Sequence, residues 1–189
     1  MGFEFNEEYE RQFQWVLKRY PNTQACLLPT LRLVEAQVGN IDDEAKAYVA
    51  RRLDLPPSHV HGVFTFYTHY RRSGDGKHVV MVCMTLPCAL RGAATILEAF
   101  EKEIGIQCGA TSSDGLFSLR KVECLGSCST APVAQINDDY FEELTPEKVG
   151  EIVAALKEGK TPPHISNGPT LEGGCQCFKP LVEACPEGK

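Results

Sequence analysis

The sequence predicts an α+β protein: an N-terminal helical bundle over residues 1–70, then a four-stranded mixed sheet layered with helices over 71–160, and an irregular cysteine-containing tail over 161–189. Three observations carry this reading. The first third of the chain repeats apolar residues at helical spacing. A polar, glycine-rich segment, Arg71-Arg72-Ser73-Gly74-Asp75-Gly76-Lys77, interrupts it. From Val79 onward, strand-like and helix-like runs alternate.

In the first part, Tyr9, Phe13, Val16, Leu17 and Tyr20 share one helical face that ends at Pro21, which predicts a helix over Glu7–Arg19. The stretch Gln24–Val38 is rich in Leu and Ala but contains Pro29, so a second helix is kinked there or starts near it, and Gly39 ends it. Ile41, Ala45, Tyr48, Val49 and Leu53 form a third face. Asp42, Asp43 and Glu44 stand in its first turn, where acids complement the helix dipole. After Pro56-Pro57, Ser58 is placed to cap a fourth helix carrying Val60, Val63, Phe64 and Tyr67.

In the second part, Val79-Val80-Met81-Val82 reads as a central strand buried on both faces, and it delivers Cys83. A helix is predicted from about Cys88 to Glu103, with Ala93, Ile96, Leu97, Phe100 and then Ile104 along one side and Gly105 closing it. Leu116–Cys124 reads as a second strand. Pro132–Ile136 and Tyr140–Leu144 read as a hairpin about Asn137-Asp138-Asp139. The last helix has Thr145 as N-cap, Pro146 in its first position, an apolar face of Val149, Ile152, Val153 and Leu156, and Gly159 at its end. The order β-α-β-β-β-α fits a thioredoxin-like layer of helices on a four-stranded mixed sheet. Gly74-Asp75-Gly76 lacks the strand, the Lys-Ser/Thr pair and the helix of a phosphate loop, and reads as a linker.

Composition excludes several functions. A net charge of -6 and a pI near 5.4 would repel a phosphate backbone, so nucleic-acid binding is not expected. The longest apolar run, Val79–Met84, falls far short of the roughly 20 residues of a membrane helix, so any membrane link is expected through a partner. The N-terminus is acidic, unlike secretory or transit segments. A cytoplasmic chain, or one peripheral on the cytoplasmic side of the inner membrane, is expected.

Nine cysteines in such a chain point to metal or redox chemistry rather than to a disulfide framework. Four form two pairs, Cys83-x4-Cys88 and Cys124-x3-Cys128, each straight after a β-like run. That places four soft thiolates on two neighbouring loops, which suits a small iron-sulfur cluster. Competing readings use the same residues. Structural zinc also takes four thiolates, but it favours tight knuckles in small modules, and a zinc-stabilised assembly protein is the different-class alternative. A thiol-disulfide oxidoreductase needs a C-x-x-C site that the sequence lacks, and a Rieske centre needs two histidines in a Cys-x-His arrangement, which His61 and His78 do not supply.

"GKHVVMVCMTLPCALRG" and "GLFSLRKVECLGSCSTAPVAQINDDYFEELTPE", with "RYPNTQACLLPTLRLVEAQVG" and "VHGVFTFYTHY" before them, resemble the small 2Fe-2S thioredoxin-like subunit of respiratory complex I, over roughly residues 8 to 158. The resemblance implies that Cys83, Cys88, Cys124 and Cys128 ligate one 2Fe-2S cluster. It also implies an electron-transfer subunit of an NADH-quinone oxidoreductase, whose partner flavoprotein subunit holds FMN and NADH. The same subunit type serves NAD-linked hydrogenases, bifurcating ones included, and NAD-dependent formate dehydrogenases, so a respiratory or hydrogenase-type assembly is implied. The sequence departs from the family at Leu86, where a small polar residue is expected, at Ser127, where Ala is common, and in the tail after Thr161.

Such a cluster carries about -2 charge, and about -3 once reduced, so donors around the sulfurs are expected. A helix starting near Cys88 should lower that thiol's pKa, and Gly126 should let the second loop bend and bring N–H groups to sulfur. The Ala131-Pro132 bond is expected to be cis. Cys26 and Cys108 read as incidental small residues, whereas Cys175-Gln176-Cys177 with Cys185 resembles half a soft-metal site. No dinucleotide fingerprint is present, so hydride chemistry belongs to the partner. Phe64, Phe66 and Tyr67 are the expected docking face of the bundle.

Overall fold

The computed structural model describes residues 2–166. It divides into two compact units, one running to Ser73 and the other beginning at Gly74. The first holds four helices, α1 (Glu7–Arg19), α2 (Leu27–Val38), α3 (Asp43–Leu53) and α4 (Pro57–Phe66). Each start has a local cause. The Asn6 side chain accepts from the Tyr9 N–H and the Asp42 side chain from the Ala45 N–H, each satisfying an orphan donor of the first turn. Pro29 is the third residue of α2, where its missing N–H breaks no helical bond. Gly39 ends α2 at φ 83°, a left-handed conformation that glycine adopts freely.

Phe13, Val16, Leu31, Val34, Val49, Leu53 and Val60 form the core of this unit, all essentially inaccessible to solvent. Tyr70 is buried with them, and its hydroxyl donates to the Leu28 carbonyl at 3.0 Å. The Arg52 guanidinium joins α3 to α1 through two bonds to the Glu10 carboxylate, at 2.8 and 2.6 Å. Both groups are about a third exposed, so the pair adds at most about 1 kcal/mol.

Two expectations are corrected here. Ser58 caps nothing: α4 begins one residue earlier at Pro57, whose fixed φ suits a first helical position, and no side chain caps it. Phe64 is 5% exposed and stacks on Tyr70, so it belongs to the core; Phe66, at 77%, and Tyr67, at 36%, are exposed.

The second unit is the expected mixed sheet. Its strands are β1 (His78–Cys83), β2 (Phe117–Val122), β3 (Ala134–Ile136) and β4 (Asp139–Phe141), with a two-residue β5 (Ile165–Ser166) added at the β4 edge. The spatial order is β2-β1-β3-β4-β5. β1 and β2 run parallel, with Cys83 opposite Val122, and the other neighbours are antiparallel. The helices are α5 (Leu86–Leu90), α6 (Ala93–Ile104) and α7 (Pro146–Lys157). Val80, Val82, Phe117, Leu119, Ile136 and Phe141 of the sheet pack with Ile96 and Phe100 of α6 and with Val149, Ile152 and Val153 of α7. Burying each such side chain contributes about 1.5–3 kcal/mol against exposure.

The single helix expected from Cys88 to Glu103 is two. Gly92 takes φ 94°, a conformation no right-handed helix passes through, and splits it into α5 and α6. The hairpin is tighter than expected, since Asp139 pairs with Ile136 and the turn is Asn137-Asp138, with Asn137 at φ 54°. The Ala131-Pro132 bond is cis. Cys175, Cys177 and Cys185 lie outside the described residues.

The segment read as a linker contains a packing constraint. A Cβ on Gly76 would lie 2.6 to 2.9 Å from backbone atoms of Phe117, where β2 leaves no room, and the Gly76 N–H donates to Ser118 Oγ at 2.8 Å. Next to it, Asp75 and Arg120 form an ion pair in which the Asp75 side chain is only 7% exposed.

Gly76→Ala is expected to lower the unfolding free energy of the second unit by about 1–3 kcal/mol, since a strand backbone must shift; an unchanged urea transition would contradict this packing. In the first unit, the bond to Arg52 holds the Glu10 carboxyl below its ordinary 4.5. A lowered folded-state pKa stabilises above the unfolded value and is lost as the pH falls through the folded one. Glu10→Gln is therefore expected to cost up to about 1 kcal/mol at neutral pH and progressively less as the medium is acidified, read by urea unfolding at each pH.

Candidate metal centre

The parallel pairing of β1 and β2 puts the C-terminal ends of both strands at one edge of the sheet. Cys83 is the last residue of β1 and Cys88 lies in α5 just beyond it. Cys124 follows β2 by two residues, and Cys128 opens a single 3-10 turn ending at Thr130. Two cysteine pairs distant in sequence therefore leave the sheet side by side. Met84 N–H donates to the Val122 carbonyl at 3.0 Å and Cys83 N–H to Val133 at 3.1 Å, so the first loop is tied to both neighbouring strands.

Within each pair the thiols interact with each other, and polar groups of each loop reach a sulfur of the other pair. Cys124 and Cys128 Sγ stand 3.6 Å apart, far beyond the roughly 2.05 Å of a disulfide, and all four are free thiols. Cys83 and Cys88 also act on each other's ionisation through their thiols. The Leu125 N–H of the second loop reaches Cys83, and the Thr85 hydroxyl of the first lies 3.2 Å from Cys83 and also reaches Cys124. Gly126, at φ 86°, turns its N–H onto Cys124 Sγ at 3.4 Å, as the sequence leads one to expect. Cys83 and Cys88 are 2% exposed, whereas Cys124 and Cys128 are open to solvent.

These contacts set the ionisation of each thiol. Burial works against a Cys83 thiolate, but the Thr85 hydroxyl and the Thr85 and Leu125 N–H groups outweigh it and bring its pKa down. Cys88 is pushed up to about 11, first by burial and then by its bond to Cys83. The Gly126 N–H, then the Cys128 thiol, lower Cys124, and the same shared bond raises Cys128. Each pair thus holds one thiolate-prone and one thiol-prone sulfur. The expected lowering of Cys88 by a helix N-terminus is overturned. α5 is a short helix with Cys88 as its third residue, and the N–H that reaches Cys88 comes from Val133.

Among the described residues no three His, Cys, Asp or Glu side chains are arranged to hold one metal ion. The thiols come in twos, and two thiolates per iron is what a two-iron, four-cysteine cluster takes from its protein. The donor set therefore fits such a cluster in number, softness and N–H supply. Cys108, whose N–H donates to Glu101, and Cys26, at the start of α2, take no part. Sequence spacing found the four cysteines but missed their support from β4. There the Tyr140 hydroxyl donates to the Leu125 carbonyl at 3.1 Å, and Glu142, just past the strand, accepts from Ser127 and Thr130. No local pattern marks residues that meet a loop only after folding.

A family model for the thioredoxin-like 2Fe-2S ferredoxin matches residues 13–157. An NADH-quinone oxidoreductase subunit of Rickettsia conorii is 39% identical over 159 residues, 82% of this chain and 95% of its own length. The corresponding protein of Rickettsia bellii matches to the same extent. Among solved structures, the air-oxidized NAD+-reducing NiFe-hydrogenase superposes with a TM-score of 0.59 at 19% identity, over 70% of this chain and 23% of that one, a likeness of fold.

In the reduced, metal-free chain, Cys124 is expected to be alkylated faster than Cys128 at neutral pH although both are exposed, because only the first is a hydrogen-bond acceptor from Gly126. Gly126→Ala is expected to narrow that gap and to cost about 1–2 kcal/mol of stability. Equal rates by mass spectrometry in the parent chain would refute the assignment.

Proposed function

The chain belongs to the thioredoxin-like 2Fe-2S ferredoxin family, and on that premise we propose that Cys83, Cys88, Cys124 and Cys128 hold one 2Fe-2S cluster. In this reading the chain is the one-electron transfer subunit of an NADH-quinone oxidoreductase, exchanging electrons with the FMN of a flavoprotein subunit that binds NADH. The observation that carries it is the convergence of the two thiol pairs at one sheet edge. When bound, such a cluster accepts and returns single electrons without proton or hydride chemistry.

The chain's own residues do the rest. The four cysteines supply negative sulfurs, and the N–H groups of Leu125, Gly126 and Val133 with the Thr85 hydroxyl stabilise them. Burial of Cys83 and Cys88 keeps water from the inner side, and the exposed Cys124 and Cys128 leave an outer side for a partner to approach. Relatives 39% identical over most of the chain favour the quinone oxidoreductase over the hydrogenase, whose likeness is one of fold. No helix among the described residues is long and apolar enough to cross a membrane. Attachment to the cytoplasmic side of the inner membrane through partner subunits is part of the same reading.

Anaerobically purified protein is expected to contain about two irons and two sulfides per chain and to show a one-electron paramagnetic signal on reduction. Serine at any one of the four positions should remove most of that iron, while Cys26→Ser and Cys108→Ser should keep it. Stoichiometric zinc in colourless protein would overturn the cluster. A chain that never co-purifies with a flavoprotein, and that leaves flavin reoxidation unchanged, would overturn the partner.

A further inference from the structure

Behind the Cys124–Cys128 loop stands a carboxylate that ligation does not use. Glu142 follows β4 and is half-buried, and its Oε1 accepts from the Ser127 hydroxyl and from Thr130 Oγ1 at 2.7 Å. Ser127 belongs to the loop and immediately precedes Cys128, and Thr130 ends the 3-10 turn that Cys128 opens. Thr130 Oγ1 also stands 3.1 Å from the Ser127 carbonyl, which closes a small ring around the turn. The neighbouring backbone adds to the grip. The Glu143 N–H reaches the Thr130 carbonyl at 2.7 Å and the Leu144 N–H reaches Pro132 at 3.1 Å. Glu143 does so at φ 47°, a left-handed conformation that non-glycine residues disfavour; surrounding contacts must hold it there.

Both hydroxyls donate to the same carboxylate oxygen, an arrangement that suits the ionised form. The Tyr140 phenol feels its charge: burial first, then the negative charges of Cys124 and Glu142, raise that pKa. A fixed negative charge beside an already anionic centre disfavours a further electron, and partial burial limits the screening by salt.

We propose that Glu142 is a positioning residue that holds the Cys124–Cys128 loop through Ser127 and Thr130 and, by its charge, lowers the reduction potential of the cluster bound there. This rests on the 2Fe-2S reading above.

The test is a redox titration, followed by paramagnetic resonance, of the anaerobically purified full chain and its Glu142→Gln variant. Gln keeps the length and a carbonyl acceptor for the hydroxyls but removes the charge. Both proteins are expected to hold about two irons per chain. At the parent midpoint the oxidised-to-reduced ratio should fall roughly tenfold in the variant, a positive shift of about 59 mV for a one-electron couple. A midpoint that is unchanged or more negative would overturn the electrostatic role.

Ser127→Ala and Thr130→Val keep the charge and remove one hydroxyl each. Each is expected to lose iron to excess chelator several-fold faster, with a midpoint nearer the parent than that of Glu142→Gln. Loss at the parent rate in both overturns the positioning role, and this arm decides the matter if the Gln variant does not retain its cluster. A parent chain with no two-iron centre would instead defeat the reading beneath the proposal.

Discussion

The parallel alignment of β1 with β2 is the constraint on which the site depends. With Cys83 level with Val122, both strands end at the same edge and both loops start there. Were the two strands antiparallel, Cys83 and Cys124 would leave opposite ends of a six-residue ladder, roughly 20 Å apart at about 3.3 Å per residue. No small cluster spans that gap. Parallel strands need a crossover, and α5 and α6 supply it; the break at Gly92 lets α5 stay at the rim with Cys88 while α6 lies on the sheet face. The same helix that returns the chain to the sheet thus frees a short segment to carry a sulfur.

From that alignment follows the division of labour among the thiols. Cys83 lies at the end of a buried strand and Cys88 on a rim helix packed against Ala93, Ala131 and Val133, so the inner pair is dry and rigidly placed. Cys124 and Cys128 lie beyond the ladder, exposed, and depend on hydrogen bonds rather than packing for their position. Packing fixes side chains by excluded volume, whereas a loop in water is fixed only if its polar groups find partners. Tyr140, Glu142 and the backbone of Glu143 and Leu144 provide them from one side.

How much of this was legible in the sequence follows from how local each cause is. The bounds of α1 are those expected, because Asn6 and Pro21 act within a few residues of the ends. Thr145 and Pro146 fix the start of α7 in the same way. The division of α5 from α6 was not legible. Glycine inside a helical pattern costs only about 1 kcal/mol, and the apolar spacing runs on past Gly92 as if nothing had happened. Ser58 was misread because a proline at the first position and a serine at the second both signal a start, and proline won. The cysteine pairs stood out through spacing alone. Their second layer did not, since Glu142 meets Ser127 only once β4 has paired with β3, and Gly76 reveals its role only against the backbone of β2.

The placement of the exposed pair also resolves a tension in the charge of the molecule. A chain of net charge -6 is an unpromising host for a centre that is itself anionic, and long-range repulsion would favour leaving the site empty. Beyond about 8–10 Å, however, salt screens such repulsion in solvent, while an N–H group in contact with sulfur is not screened at all. Local donors therefore decide whether sulfur is stabilised, and each thiolate-prone cysteine has them: Thr85 and Leu125 for Cys83, Gly126 for Cys124. The Glu142 carboxylate accepts from two hydroxyls of this region. It is close enough to bias the energy of an added electron, and its contacts hold the loop instead of competing for the metal.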